Sequence, residues 1–509
     1  MGLRSWARSP KAPREDASPR EADGKRGLSG AVIFFITNLA YFVCAALIPA
    51  HLLFAVEEHS FAVRILTAIP AIVLVLEAQS FLKKEAGELP FVVLALLQYY
   101  AVFCFGVFFH LKFFDVRGPV SFSEQARTSG AAAVALGSIC IWAGARLGRR
   151  IGNHLGPTLV KAMPRAEVPE QWDQALLFYA GVTALLQLVI VFFPNIIPPT
   201  LAQPFLYTFP IELAIGFAIG APLRKNAAKL TNALVGVTMA IGMLRGSMEY
   251  VFRGGIAYVA GRWAATRTVS LRLAAGVVLL YAVVQPVKGA YRQQVWTAGA
   301  RQTVGVSERV SAWGNAFSPE GRSVDEGGDG AMGRLSELGA VMHAFDVLPG
   351  RVQFLDGSGF LPVLYAPIPR FMWQDKPTTQ QTVQRYGVVF GRQTEGGART
   401  TAFNLPLLVE GYWNFGWAGI VFVCGALGLW VGLSQKMFAG GHWAMRATGM
   451  ANVTNLSVAG PIVYVYGSIF QMLAGRLFVC WSVFWLAQLL SRREYEKPKF
   501  AGGRALLRR

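Results

Sequence analysis

The chain is short of charge, and of acid above all. Only 15% of its 509 residues are charged, and 29 acidic residues stand against 48 basic ones. A soluble domain carries about a quarter charged residues. With 53% hydrophobic content and a mean hydropathy of +0.40, this chain cannot cover its apolar side chains with polar ones. Cysteine is scarce too. Cys44, Cys104, Cys140, Cys424 and Cys480 all lie in apolar runs, which argues against a disulfide frame outside a membrane and against a cysteine-ligated zinc site. No G-x-x-x-x-G-K-[ST] occurs, so the phosphate-cradling loop of an ATP-driven pump is missing. The longest polar segment has no D-x-D to hold a metal for nucleotide-sugar chemistry. Its Asp325, Glu326 and Asp329 do not follow an EF-hand pattern and read as a solvated, Gly-rich connector. Neither a metal nor a cofactor is expected.

Long apolar runs are what the sequence does have. Bounded by charge or by Pro and Gly clusters, they fall near Ala31–Leu53, Phe61–Leu82, Pro90–Phe114, Gly130–Gly144, Ala175–Phe193 and Phe205–Leu223. A second group falls near Leu230–Leu244, Tyr250–Ala264, Leu273–Val287, Tyr412–Leu433, Ala447–Tyr466 and Phe470–Leu490. Each is near the length a helix needs to cross a bilayer. The expected fold is an all-α polytopic integral membrane protein with about twelve transmembrane helices, or ten to twelve. The seventh and eighth runs, interrupted by Arg245 and Arg253, read equally as broken or re-entrant helices, which are tolerated where protein or water surrounds the backbone.

The basic residues set the orientation. Lys83, Lys84, the group from Arg146 to Arg165, Arg224, Lys225, Lys229, Arg262, Arg267, Arg272, Lys436, Arg446 and the tail from Arg492 all fall on one side if the N-terminus is inside. By the positive-inside bias both termini are cytoplasmic. The same loops and tails explain the net charge of +19 through contact with anionic lipid, and no motif points to nucleic acid. The expected organisation is a basic cytoplasmic tail over 1–29, helices over 30–288, one long external loop over 289–411, helices over 412–490 and a second basic tail over 491–509.

That loop carries both signs of charge, so topology bias does not explain its arginines. Arg334 opens the helix-like stretch "GRLSELGAVMHAF", whose His343 suits either a general base or a packed helix position. Downstream, "IPRFMWQDKP" uses Pro369, Pro377 and the preceding Pro367 to limit the freedom of Arg370 and Lys376. Trp373 between them offers a face for a sugar ring or an interfacial anchor. Charges in or near the spans are Glu212, Arg245, Glu249, Arg253 and Arg476. They read either as ion pairs that fix helix packing or as a cationic site for a lipid diphosphate, which guanidinium groups grip bidentately.

The order Arg334, "IPRFMWQDKP", then "FNLPLLVEGYWNFGWAGIV" from Phe403 to Val421 resembles the oligosaccharide repeat unit polymerases, the Wzy-like O-antigen and exopolysaccharide polymerases. The likeness covers about a quarter of the chain closely. It implies a GT-C-like, metal-independent membrane glycosyltransferase in the bacterial inner membrane, with the long loop periplasmic. The enzyme would join oligosaccharide units carried on undecaprenyl diphosphate at the outer face of that membrane. In this resemblance Arg370 and Lys376 match the first element, and Glu410, Tyr412, Asn414 and Gly416 the second. "LRGSMEY" around Arg245 departs from the family's usual Gly-Ser-Arg order. The roles expected are Glu410 as the base for the acceptor hydroxyl, and Arg370 and Lys376 with Arg245 or Arg476 on the donor diphosphate. Arg334, Trp373, Tyr412 and Asn414 complete the substrate-binding set. Expected partners are the lipid-linked oligosaccharides, membrane lipids and a chain-length regulator of the pathway. An O-antigen ligase and a flippase or transporter of lipid-linked sugars are the rival readings.

Overall fold

The computed structural model describes residues 46–82, 89–108, 113–115, 118–162, 305–318, 337–365, 386–400 and 405–438, with isolated positions between 181 and 295, in 368–376, and at 460 and 489. Both basic tails, the last two expected spans and most of the spans expected between 175 and 287 lie outside the described residues.

Among the described residues, four helical segments are long and apolar enough to cross a membrane: Phe61–Phe81, Phe91–Phe108, Glu124–Leu155 and Leu407–Met437. The expected second span coincides with α1, Phe61–Leu82. The third is shorter than the run Pro90–Phe114 suggested. Helix α2, Phe91–Phe103, gives way to a 3-10 turn at Phe105–Phe108. The chain then pairs Phe113–Asp115 (β1) with Gly118–Val120 (β2) in a small antiparallel hairpin between helices, and the other elements among the described residues are helical. The fourth, α3, runs far beyond Gly130–Gly144, from Glu124 to Ala162. Its basic residues do not end the helix, because Arg149 bonds within the bundle. Its Nη2 donates to Glu77 of α1 at 3.1 Å, its Nη1 also reaches that carboxylate, and Trp142 donates to it from about two turns earlier in α3. Glu77 is almost fully buried, so the paired guanidinium is what makes its burial tolerable.

The polar segment contributes α4 (Val306–Phe317), α5 (Leu338–Val347), α6 (Leu361–Tyr365) and α7 (Glu395–Thr400). It is followed by α8, Leu407–Met437.

Helix α8 is not one rod. Phe415 (φ −141°, ψ 24°) and Gly416 (φ 59°, ψ −141°) are non-helical, and the second conformation is open essentially only to glycine. Residues eight apart in a straight helix stand about 12 Å apart. Here a Cβ built on Gly411 would lie 2.9 Å from the Gly419 carbonyl oxygen and 2.7 Å from Val423, and one on Gly419 would overlap the Gly411 carbonyl. The chain therefore reverses at Phe415–Gly416, and residues 407–414 fold back along the helix that follows. The 21 residues from Trp417 to Met437 make a rod of about 31 Å, close to the hydrocarbon thickness of a bilayer.

That rod packs on α3 through glycine. A Cβ on Gly144 would lie 2.9 Å from Leu429 N, one on Gly148 2.7 Å from Leu433 N, and one on Gly152 2.7 Å from Lys436. From the other side, Gly428 and Gly432 lie directly against the Ile141 and Ala145 carbonyls. Both numbers rise together, so the two helices run parallel. The spacing of four on α3 (Gly144, Gly148, Gly152) and on α8 (Gly428, Gly432) is the small-residue pattern that lets backbones touch inside a membrane. Parallel packing agrees with the direction expected of the fourth and tenth spans.

Candidate functional site

One end of the bundle gathers the loop 54–60, the ends of α2 and α5, and the fold-back. The main chain at Glu337 donates to Val102 at the end of α2, and that at Val56 donates to Val107. Ser123, just before α3, donates to Asp346 of α5 at 3.1 Å.

Each residue of the "EGYWNFG" element has a definite place there. Glu410 is fully buried and its Oε1 accepts a 2.7 Å hydrogen bond from the Tyr386 hydroxyl. Asn414 sits one turn on, also fully buried. Its Nδ2 donates to the Glu410 carbonyl at 2.8 Å, and its Oδ1 accepts from the main chain of Gly359 at 3.0 Å. Tyr412 stacks on Phe345 of α5 with ring centres 4.0 Å apart, and Phe354 stands edge-on to it. Trp413 donates to the Gln353 carbonyl while its own carbonyl accepts from Leu355. The stretch 353–359 thus caps the fold-back where its helical bonds run out, and Gly416 supplies the reversal. Counting about 1.5 Å per residue, Glu410 lies some 9 Å below the tip of the fold-back.

Tyr386 belongs to a short strap, 386–394, that crosses α5 and the fold-back. Tyr386 and Phe390 both meet Trp413 edge-on. His343 donates through Nε2 to the Phe390 carbonyl at 3.0 Å, which places it in packing between α5 and the strap. Past this point the strap turns back, with Arg392 N bonding the Gly387 carbonyl. Arg392 lies near Glu337, the residue that opens α5. Burial pushes the Glu337 carboxyl up to about 7 although Arg392 draws it the other way, so this acid exchanges a proton near neutrality. Glu337, Tyr386 and Arg392 carry no sequence signal, because each acquires its meaning only from a partner distant in the chain.

In the first element, Lys376 donates through Nζ to the carbonyls of Ile368 (2.8 Å) and Tyr365 (3.3 Å). It folds the loop onto α6. Trp373 is 40% exposed and edge-on to Tyr365, beside exposed Leu364 and Met372, an apolar surface that suits an interfacial anchor. Arg370, Arg334, Arg245 and Arg476 lie outside the described residues. The surroundings of Arg245 are partly described. Tyr291, Arg309 and Trp313 donate to the carbonyls of Leu244, Leu244 and Met243, and Gly246 turns with φ 64°. Helix α4 thus caps the helix end that immediately precedes Arg245. Among the described residues no three His, Cys, Asp or Glu side chains converge as a metal site would require.

These features define a helical membrane protein with a buried carboxylate set in a fold-back at one end of its bundle. Residues 165–445, more than half of the chain, match the family described as Domain of unknown function (DUF8712), and the chain belongs to that family. No curated protein and no solved structure matches it.

Proposed function

We propose that this protein is an oligosaccharide repeat unit polymerase of the bacterial inner membrane, with about twelve spans and both termini cytoplasmic. It joins units carried on undecaprenyl diphosphate at the outer face. The observation that carries the reading is the fold-back. The residues of the "EGYWNFG" element, which carries the resemblance, sit together in a tight helical reversal that sets a buried carboxylate about 9 Å below its tip.

In the reaction, a hydroxyl oxygen of one unit forms a bond to the anomeric carbon of another. The bond from that carbon to the diphosphate oxygen breaks, and undecaprenyl diphosphate leaves with the electron pair. In this reading Glu410, with the Tyr386 hydroxyl donating to its Oε1, takes up the proton of the attacking hydroxyl through that hydrogen-bonded pair. Arg370, with Arg245 or Arg476, holds the donor diphosphate and stabilises the charge growing on it. Lys376 positions Arg370 by tying the loop to α6.

Deleting the gene in its host and running the lipid-linked and surface glycans on a gel tests this. Single units without longer chains are expected, and the native gene restores the ladder. Intact polymer left on its carrier would instead indicate a ligase. Lipid-linked units trapped on the cytoplasmic face would indicate a flippase.

A further inference from the structure

The chain leaves the tip of the fold-back along the flank of α8. A Cβ on Gly357 would lie 2.5 Å from the Phe415 ring, and Gly359 N donates to Asn414, so both glycines sit at the tip. The next residue, Phe360, stacks on Phe415 with ring centres 5.6 Å apart and meets Phe422 edge-on at 5.8 Å. Counting about 1.5 Å per residue, Phe422 lies some 7–8 Å along the rod from Trp417. Phe360 therefore reaches below the level at which the spanning rod begins.

That flank faces outward. Phe415, Trp417, Val421 and Phe422 are exposed, and on a rod as long as the hydrocarbon is thick their surroundings are lipid. The exposed apolar surface continues from Phe360 straight into α6. Leu364 and Met372 are 74% and 69% exposed, and Leu361, Ile368 and Trp373 are exposed with them. Residues 357–369 carry no charge. Apolar side chains gathered in this way mark an interaction surface, and continuity with the flank of α8 identifies lipid as the partner.

The backbone suits the same place. Near a membrane each main-chain polar group needs a partner in the protein. Pro362, Pro367 and Pro369 have no N–H to satisfy. The Tyr365 carbonyl accepts from Ile368 N and from Lys376 Nζ, and the Ile368 carbonyl accepts from the same ammonium. Trp373 and Lys376 are the residue types that stand at the boundary between lipid and water.

We propose that α6, with Ile368, Met372 and Trp373 after it, is a lipid-seated interfacial element: its apolar side chains enter the acyl region beside the first turns of the rod. This part of the 289–411 segment then lies in the membrane surface, where an external loop would lie in water. Apolar faces of interfacial elements reach about 5–10 Å into that boundary, the depth that Phe360 and Phe422 mark. The inference requires α8 to span the membrane and no reaction, so it stands or falls apart from the polymerase reading.

The test uses unmodified full-length protein in phosphatidylcholine nanodiscs. A trace of the lipid carries a diazirine on one acyl chain, near the ester in one preparation and at the chain end in another. After illumination, adducts are located by proteolysis and tandem mass spectrometry. With the ester-proximal probe, Leu361, Leu364, Met372 and Trp373 should carry lipid at about the yield of Trp417 and Phe422, and about tenfold more than Gln353 and Asp356, exposed residues at the tip. The chain-end probe should label the four about threefold less. Lipid on Trp417 and Phe422 but not on these four, as a covering protein would produce, would overturn the proposal. So would equal labelling of Gln353 and Leu364, a preference of the four for the chain-end probe, or an unlabelled Phe422.

Discussion

Replacing Gly428 and Gly425 by alanine, one at a time, puts the same methyl group at two points three residues apart on α8. At Gly428 the added carbon would overlap the Ile141 carbonyl oxygen and lie 2.7 Å from that residue's Cα. Carbon atoms pack at about 3.5–4.0 Å, so the helices must part by roughly 1 Å. Overpacking of this kind costs about 1–3 kcal/mol. The seam is continuous, so Gly144 and Gly432 lose contact with it. At Gly425 nothing lies within 4 Å of the new carbon. There the substitution brings only the better helix propensity of alanine, about 0.8–1 kcal/mol. The two variants should therefore differ by about 2–4 kcal/mol with opposite signs relative to the parent. Unfolding of purified protein by added SDS, followed by tryptophan fluorescence, measures the difference. Coincident unfolding curves, or a Gly425→Ala protein less stable than Gly428→Ala, would refute the parallel glycine seam.

The Glu337 carboxyl, at about 7 against an ordinary 4.5, keeps a proton in the folded state that the unfolded chain has released. The stability it contributes is complete below pH 4.5 and is lost as pH rises through 7. Glu337→Gln should flatten the pH dependence of melting between these limits and stabilise the protein at pH 8 by about 2–3 kcal/mol; an unchanged slope would count against the buried carboxyl. Tyr386→Phe removes the hydroxyl that donates to Glu410 Oε1 and should cost about 1–3 kcal/mol. It should also reduce the polymer ladder in cells to short products, and a normal ladder at normal expression would remove Tyr386 from the proton path. Gly416→Ala meets no neighbour, so its cost is conformational alone, about 1–3 kcal/mol. A Gly416→Ala protein that melts with the parent would mean that the fold-back does not need that backbone.

Hydropathy located α1 to the residue, because charge or turn residues bound its apolar run at both ends. It ended the fourth span at Gly144, before the basic group that starts at Arg146, whereas α3 runs on to Ala162 with Arg149 bonded to Glu77 inside the bundle. It also read Tyr412–Leu433 as the start of a simple span. An apolar run has no mark for reversal, and only Gly416 hinted at one. The motif residues Glu410, Tyr412 and Asn414 were legible because they lie close together in sequence. Tyr386 and Glu337 were not, since each depends on contacts between segments tens to hundreds of residues apart. Lys376 was legible as a constrained cation, and the structure gives that constraint a form: it grips the backbone of its own loop.

The fold-back also fixes an order of assembly. Residues 407–414 leave the ribosome before the helix they lean on, so Glu410 is made before Gly419 and Val423 exist to enclose it. During that interval the carboxylate has water, and it loses water only when the following helix is seated against α3. Its burial is therefore among the last events in building this end of the protein, and a chain stalled just beyond Gly416 would carry the motif complete in sequence with its carboxylate still wet.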